Sequence, residues 1–387
     1  MKGSIIERGK SYRLKVSLGK NSQTGRYNSY YETFHGSMPD AQKRLRAILT
    51  EHDKGIFIKP TKETMGEYLK VWLTDSITPN LAGNTTNLYA FLCKKHIIPA
   101  LGNIPLVALK PQQLQRFYAE KKASGLSART VQLLHVVIHK SLKNACKLGL
   151  ISRNVAESID PPKNVRHEMR VMSEADLHLF LEMAYGTGYY ALFYTLCFTG
   201  MRRNEALALR WSNVDLLLCQ LSITQSMEHF YSAVDGERTR FKEPKTEKSR
   251  RLIALSPSTV GVLREHRESQ EKRRQELGLP LITDDELVFS NWDGSPLLPD
   301  SVTQRWRRLA RQCGLSGITP HSARHTHASL LLKQGVHAKI VQERLGHASI
   351  TLTLDLYSHV APGLQQAAAQ KFDDILLPKQ KVVSESD

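Results

Sequence analysis

The chain has 387 residues and carries 54 Lys and Arg against 37 Asp and Glu, a formal net charge of +17. That length exceeds one compact core and predicts two or three domains, while a basic excess spread along the chain points to a polyanionic partner. No apolar run approaches the ~18 residues that a membrane-spanning helix needs and the N-terminus lacks a signal-peptide core, so a soluble cytoplasmic protein with no membrane partner is expected.

Residues 1–58 read as a small module. Ser11 to Leu18 and Tyr27 to Phe34 alternate in polarity and predict two strands joined by a polar turn from Gly19 to Gly25. A helix follows from Pro39 through Leu45, Ile48 and Leu49 to Lys54 and Gly55. One sheet face buries apolar residues against that helix. The other carries Arg13, Lys15 and tyrosines, which suits a DNA groove or plain solvent.

Residues 62–158 read as a helical bundle. Apolar positions recur at helical spacing in Met65–Leu73, Asn84–Ile98, Pro111–Lys122 and Ser127–Leu148, which predicts four main helices. Asn84 and Ser127 sit at N-cap positions, Pro111 in a first turn and Gly149 just past an end. Lys94, Lys95, His96, Arg129, Lys140, Lys143 and Lys147 form either a DNA-facing side or an ordinary solvated face.

Pro161 and Pro162 break the helical pattern and Ser173 caps a new helix, predicting a linker at 159–172. The segment 173–378 mixes helices with a strand-rich insert from about Leu218 to Leu255, and 379–387 is a tail. The expected fold class is therefore multidomain and mainly α with α+β parts. Cys93, Cys146, Cys197, Cys219 and Cys313 are odd in number and widely spaced, and read as buried reduced thiols rather than zinc ligands.

Three segments carry chemistry. Arg202 follows Gly200 in Phe198-Thr-Gly-Met-Arg-Arg-Asn-Glu; Lys245 follows Pro244 between two strand-like stretches, at the mouth of an apparent hairpin. His321 and Arg324 share one face of a helix start, His347 follows Gly346, and Tyr357 comes ten residues later. Breaking a phosphodiester requires charge neutralisation, a proton for the alkoxide and a nucleophile. Arginine forks match phosphate oxygens, a lysine donates a proton, and a tyrosine attacks once cations and a base assist it. Each residue also has a plain structural reading: Arg202 as an ion-pair partner of Glu205, Tyr357 as a packed aromatic, His325 and His327 as packing residues. A metal reading of His321, His325 and His327 lacks the glutamate of zinc hydrolases.

Taken together and in order, Arg202, Lys245, His321, Arg324, His347 and Tyr357 resemble the signature of the tyrosine recombinases, also called the phage integrase family. The resemblance covers the second half of the chain well and the first half through its layout. It implies an arm-site DNA-binding module at 1–58, a helical core-binding domain at 62–158 and a mixed α/β catalytic domain at 173–378. It further implies arginines that grip the scissile phosphate, Lys245 as the acid for the departing 5′ oxygen, His321 as a general acid or base, and His347 as a phosphate hydrogen-bond donor. Tyr357 would form a 3′-phosphotyrosyl bond, with no metal or other cofactor. Double-stranded DNA with core and arm sites, a homo-tetramer, and DNA-bending and excisionase accessory proteins are the implied partners. The same chemistry would serve a type IB topoisomerase; an inert DNA-binding regulator is the alternative of a different class. A C-terminal amphipathic stretch, Val360 to Leu376, is expected to dock on its own domain or a neighbour's.

Overall fold

Alternating side chains in β2 (Ser11–Lys20) send Leu14 and Val16 to one face and Arg13 and Lys15 to the other, in a computed structural model of the chain. The structure describes residues 3–20, 27–53, 62–81, 83–162, 170–232, 236–243, 250–347, 349–351, 353–354, 369 and 372–373. The chain divides into two units, 1–166 and 167–387.

In the first unit β2 is the centre of an antiparallel sheet ordered β1-β2-β3, with β1 at Gly3–Arg8 and β3 at Tyr27–Phe34. The sequence pattern had predicted only β2 and β3. The extra edge strand forms because Gly9, at φ 56, closes a tight reversal that brings Gly3–Arg8 into register with β2. Helix α1 (Met38–Asp53) buries Ala41 and Ile48 on Leu14, Val16 and Tyr30. On the opposite face Arg13 lies 4.5 Å above the Tyr31 ring.

The helical part comprises α2 (Met65–Trp72), α3 (Gly83–Leu92), α4 (Ile98–Leu101), α5 (Pro111–Ala123) and α6 (Ala128–Lys147). Thr64 and Glu67 form a capping box on α2, and Ser127 caps α6 through the Thr130 N–H. Asn84 is inside α3 rather than capping it, because the helix already starts at Gly83. Met65, Leu69, Trp72, Leu114, Leu134 and Ile138 belong to one buried core. Lys94, Lys95, Arg129, Lys140, Lys143 and Lys147 are exposed and His96 is half-buried.

The second unit begins with α7 (Glu174–Ala184), capped by Ser173, and α8 (Tyr190–Thr199). The short α9 (Arg203–Ala206) leads into strands β4 (Val214–Asp215), β5 (Gln220–Ile223), β6 (Ser226–Ser232), β7 (Gly236–Lys242) and β8 (Arg251–Ala254). Helices α10 (Pro257–Glu276), α11 (Pro299–Gln312), α12 (Pro320–Lys333) and α13 (Ala338–Leu345) follow. Phe180, Phe193 and Trp306 pack ring against ring at the centre, Phe180 and Trp306 at 4.3 Å between centroids.

The strands correct one expectation. The apparent hairpin around Lys245 would pair β7 with β8, but β7 pairs with β6 and β8 pairs with β5, in separate sheets. The register of β6 with β7 runs from Ser226 opposite Lys242 to Ser232 opposite Gly236, whose φ is 71. Among the described residues all five cysteines are free; Cys93 and Cys197 are buried, whereas Cys146, Cys219 and Cys313 are only partly so. No helix among the described residues is long and apolar enough to cross a membrane.

Candidate active site

The site is built where three element ends meet. Helix α8 stops at Gly200, whose φ of 64 ends the helix in the left-handed conformation that glycine adopts most easily. Met201 and Arg202 follow, and Arg202 is the residue before α9, its N–H bonded 2.9 Å from Glu205 Oε2. Helix α13 ends the same way, at Gly346 with φ 67, which turns His347 back towards the helix so that its N–H donates to the Gln342 carbonyl. Pro320 sets the first turn of α12, where His321 and Arg324 lie one turn apart.

The two arginines meet at the end of α13. Arg324 donates to the Leu345 carbonyl at 2.7 Å and the Gly200 carbonyl at 2.9 Å; Arg202 donates to the Gly346 carbonyl at 3.2 Å. Carbonyls at a helix C-terminus lack intrahelical partners and attract cations, so these bonds satisfy both sides. Each guanidinium has five N–H groups, more than these bonds use among the described residues.

Glu205 orients Arg202. Its side chain, 4 % exposed, accepts from Arg202 at 2.6 Å and from Arg251 at 2.8 and 3.3 Å. Burial alone would raise its pKa, but the hydrogen bonds and charge of Arg251, together with Arg202, hold it below the ordinary carboxylate range. Arg251 also donates to the Arg344 carbonyl at 2.7 Å. Around this one carboxylate stand three guanidiniums, those of Arg202, Arg251 and Arg324. The positive surplus shows on Arg324, 2 % exposed, whose pKa is pushed down to about 9 by burial and then by Arg202. It is still protonated at pH 7, so the site presents net positive charge to an anion.

The histidines divide by role. His321 is exposed at its surface, and its pKa is lowered by the atoms packed around it and by Arg324 and Arg202. His347 is buried, 2.9 Å from the Thr353 hydroxyl through Nδ1, and is driven down to about 3 by burial and the neighbouring arginines. It is therefore neutral at pH 7 and can offer a ring N–H. His327 is a structural tie: Arg344 donates to its Nε2 at 3.0 Å, so Nδ1 carries the proton and donates to the Cys197 carbonyl at 3.0 Å. With both nitrogens engaged, His327 cannot join His321 and His325 on a metal, and no such cluster of three metal-binding side chains occurs among the described residues. His325 packs edge-on against His321, 4.5 Å between ring centroids, and among the described residues neither of its ring nitrogens has a hydrogen-bond partner.

Four of the six residues singled out from sequence thus come together: Arg202, His321, Arg324 and His347. Lys245 and Tyr357 lie outside the described residues, as does nearly all of the C-terminal amphipathic stretch. Sequence reasoning passed over Arg251, Gln342 and Thr353. Arg251 had a signal, a cation opening the apolar strand Arg251-Leu-Ile-Ala-Leu; the other two had none.

Such a cluster of cations at helix ends has the chemistry to hold an anion. Residues 170–363, half of the chain, match the Phage integrase family, and residues 64–122 match the N-terminal SAM-like domain of phage integrases. The chain belongs to the phage integrase family. Among curated relatives it is similar to a tyrosine recombinase XerC-like protein of Caldanaerobacter subterraneus subsp. tengcongensis, 24% identical over 97% of this chain and 99% of the relative. It is also similar to the ICEBs1 integrase of Bacillus subtilis, 26% identical over 74% of this chain and 76% of the relative. Its fold resembles the Tn1549 transposon integrase in complex with a circular intermediate DNA, with a TM-score of 0.68 and 20% identity over 80% of this chain and 99% of that one. A lambda integrase dimer bound to a COC′ core site is a second likeness, with a TM-score of 0.57 and 17% identity over 91% and 93% of the two chains.

Proposed function

We propose that this chain is a site-specific DNA recombinase that integrates and excises a mobile element through a covalent phosphotyrosyl intermediate. The observation that carries this reading is the convergence of Arg202 and Arg324 on the end of α13 beside His347, with positive charge in excess of the single buried carboxylate.

In the proposed reaction the Tyr357 hydroxyl attacks the scissile phosphorus. Its proton passes to His321, a bond forms from the tyrosine oxygen to phosphorus, and the bond from phosphorus to the 5′ oxygen breaks. Lys245 protonates that oxygen. Arg202 and Arg324 hold the two non-bridging oxygens and His347 donates a hydrogen bond to one of them. Fixed donors of this kind are each worth about 10²–10³ in rate where charge develops. The phosphotyrosyl ester keeps the energy of the broken bond, so a 5′ hydroxyl from a second duplex can reverse the step without ATP or a divalent metal. Strand exchange between two duplexes calls for four such sites, hence a homo-tetramer on core DNA. The 1–58 sheet module fits arm DNA through Arg13, Lys15 and Tyr31, and accessory bending and excisionase proteins set the direction. The setting is the cytoplasm of a bacterial host, at the nucleoid.

Nicked suicide DNA bearing a candidate core site, incubated without metal and run on denaturing gels, tests the reading. Wild-type protein should retain a covalently linked strand and Tyr357→Phe should retain none. Bound DNA with no adduct in the wild type would reject the reading.

A further inference from the structure

Arg251 is held on three sides. Its side chain is 6 % exposed and forks onto Glu205, the carboxylate that Arg202 also uses, while its Nε–H reaches the Arg344 carbonyl. Arg344 in turn spans the Ala254 carbonyl at the end of β8 and the Phe198 carbonyl near the end of α8. One guanidinium thus connects the first residue of β8, the carboxylate of α9 and the last turn of α13.

A carboxylate shared between two guanidiniums neutralises neither completely. Were Arg251 absent, Glu205 would pair with Arg202 alone, and the half-exposed Arg202 would meet a phosphate with its charge largely compensated. Glu205 would also lose the Arg251 fork that fixes its direction, so the aim of Arg202 would rest on the Gly346 carbonyl and a carboxylate held only by Arg202 itself. From this geometry we infer that Arg251 is a positioning residue: it draws Glu205 away from full pairing with Arg202 and locks it to the α13 end, so that Arg202 meets the scissile phosphate correctly aimed and with surplus charge. The inference rests on the phosphate-gripping role proposed for Arg202.

Phosphate charge supplies a readout that a loss of folding would not mimic. Replacing one non-bridging oxygen of the scissile phosphate by methyl removes the negative charge that Arg202 balances. Single-turnover adduct formation would be measured on phosphodiester and methylphosphonate suicide substrates for wild type, Arg202→Ala, Arg251→Met, Arg251→Lys and the Arg202→Ala/Arg251→Met double variant. Arg251→Met should be slowed at least about tenfold on the phosphodiester, less than the roughly 10²–10³ of a directly lost donor because Arg202 itself remains. On the methylphosphonate most of that loss should vanish, as it should for Arg202→Ala. The double variant should be no slower than Arg202→Ala, because the two residues act through one contact. Equal losses on both substrates, or additive losses in the double variant, would overturn the inference. Arg251→Lys provides the same comparison if the methionine variant is unstable. Wild-type protein without adduct on either substrate would instead reject the recombinase reading itself.

Discussion

Arg202 and Arg324 donate to consecutive carbonyls, those of Gly346 and Leu345, although 122 positions separate the two arginines in the chain. The last turn of α13 is therefore a shared backstop that sets the spacing of the two guanidiniums and presents His347 beside them. Both guanidiniums are thereby fixed in direction by the same stretch of backbone.

Arg324→Lys tests the fork. An ammonium keeps the charge but cannot hold the Gly200 and Leu345 carbonyls and an oxyanion together. Covalent adduct formation should fall by about 10²–10³ while gel-shift affinity for core DNA stays within a few-fold. A lysine variant with near wild-type cleavage would show that charge alone suffices.

Gly200 should tolerate no side chain. A Cβ there would lie 2.5 Å from Leu345 Cδ2 and 2.7 Å from His327 Cδ2, on a backbone at φ +64. Gly200→Ala should cost more than the roughly 1–2 kcal/mol of a left-handed alanine, and should displace the carbonyl that Arg324 holds. Gly186→Ala is the control: its φ is +76 but nothing lies within 4 Å of the added carbon, so it carries the backbone cost alone. Urea melts of the two variants should differ clearly; equal losses would contradict the contact argument.

Glu205→Gln removes the carboxylate from buried Arg251. Breaking a buried ion pair by removing one partner costs about 3–5 kcal/mol, and the half-exposure of Arg202 places this site at the lower end. Urea unfolding would check the loss, and a change below measurement error would count against the pair as a stabilising element.

Acid should weaken the second unit. His327 and His347 have folded pKa values lowered to about 4 and about 3, below the ordinary 6.5 of the unfolded chain. Between those limits the unfolded state binds more protons than the folded state, so stability rises with pH through this window and is lost as pH falls from about 6.5 towards 4. Moving from pH 7 to pH 5 should cost on the order of 1–2 kcal/mol for each of these two histidines. The lowered Glu205 pKa adds in the same direction only nearer pH 4. Urea midpoints that do not move between pH 7 and pH 5 would disprove it.

Binding to DNA should fall steeply with salt. Lys94, Lys95, Arg129, Lys140, Lys143 and Lys147 are exposed and have no ion-pair partner among the described residues, so those that meet phosphates release counterions. Each neutralised phosphate contributes about −0.9 to the slope of log affinity against log salt. Double Lys→Ala variants of α6, Lys140 with Lys143, should lower that slope by about 1–2; an unchanged slope would assign these lysines to a solvated face.

Local signals in the sequence were sufficient for much of this protein. Ser127 and Ser173 bond to nearby N–H groups, the glycines after α8 and α13 end those helices, and the three-residue spacing of His321 and Arg324 puts them on one face, because each effect acts within a turn or two of the chain. Pairings across long separations were decided only by tertiary structure. β8 passed over the adjacent β7 and paired with β5, across the intervening β6 and β7, and the alternation of side chains suits either partner. Arg251 found Glu205, and His327 found Arg344 and the Cys197 carbonyl, because burial leaves charged and polar groups with few places to satisfy their hydrogen bonds; that constraint exists only once distant elements have closed around them.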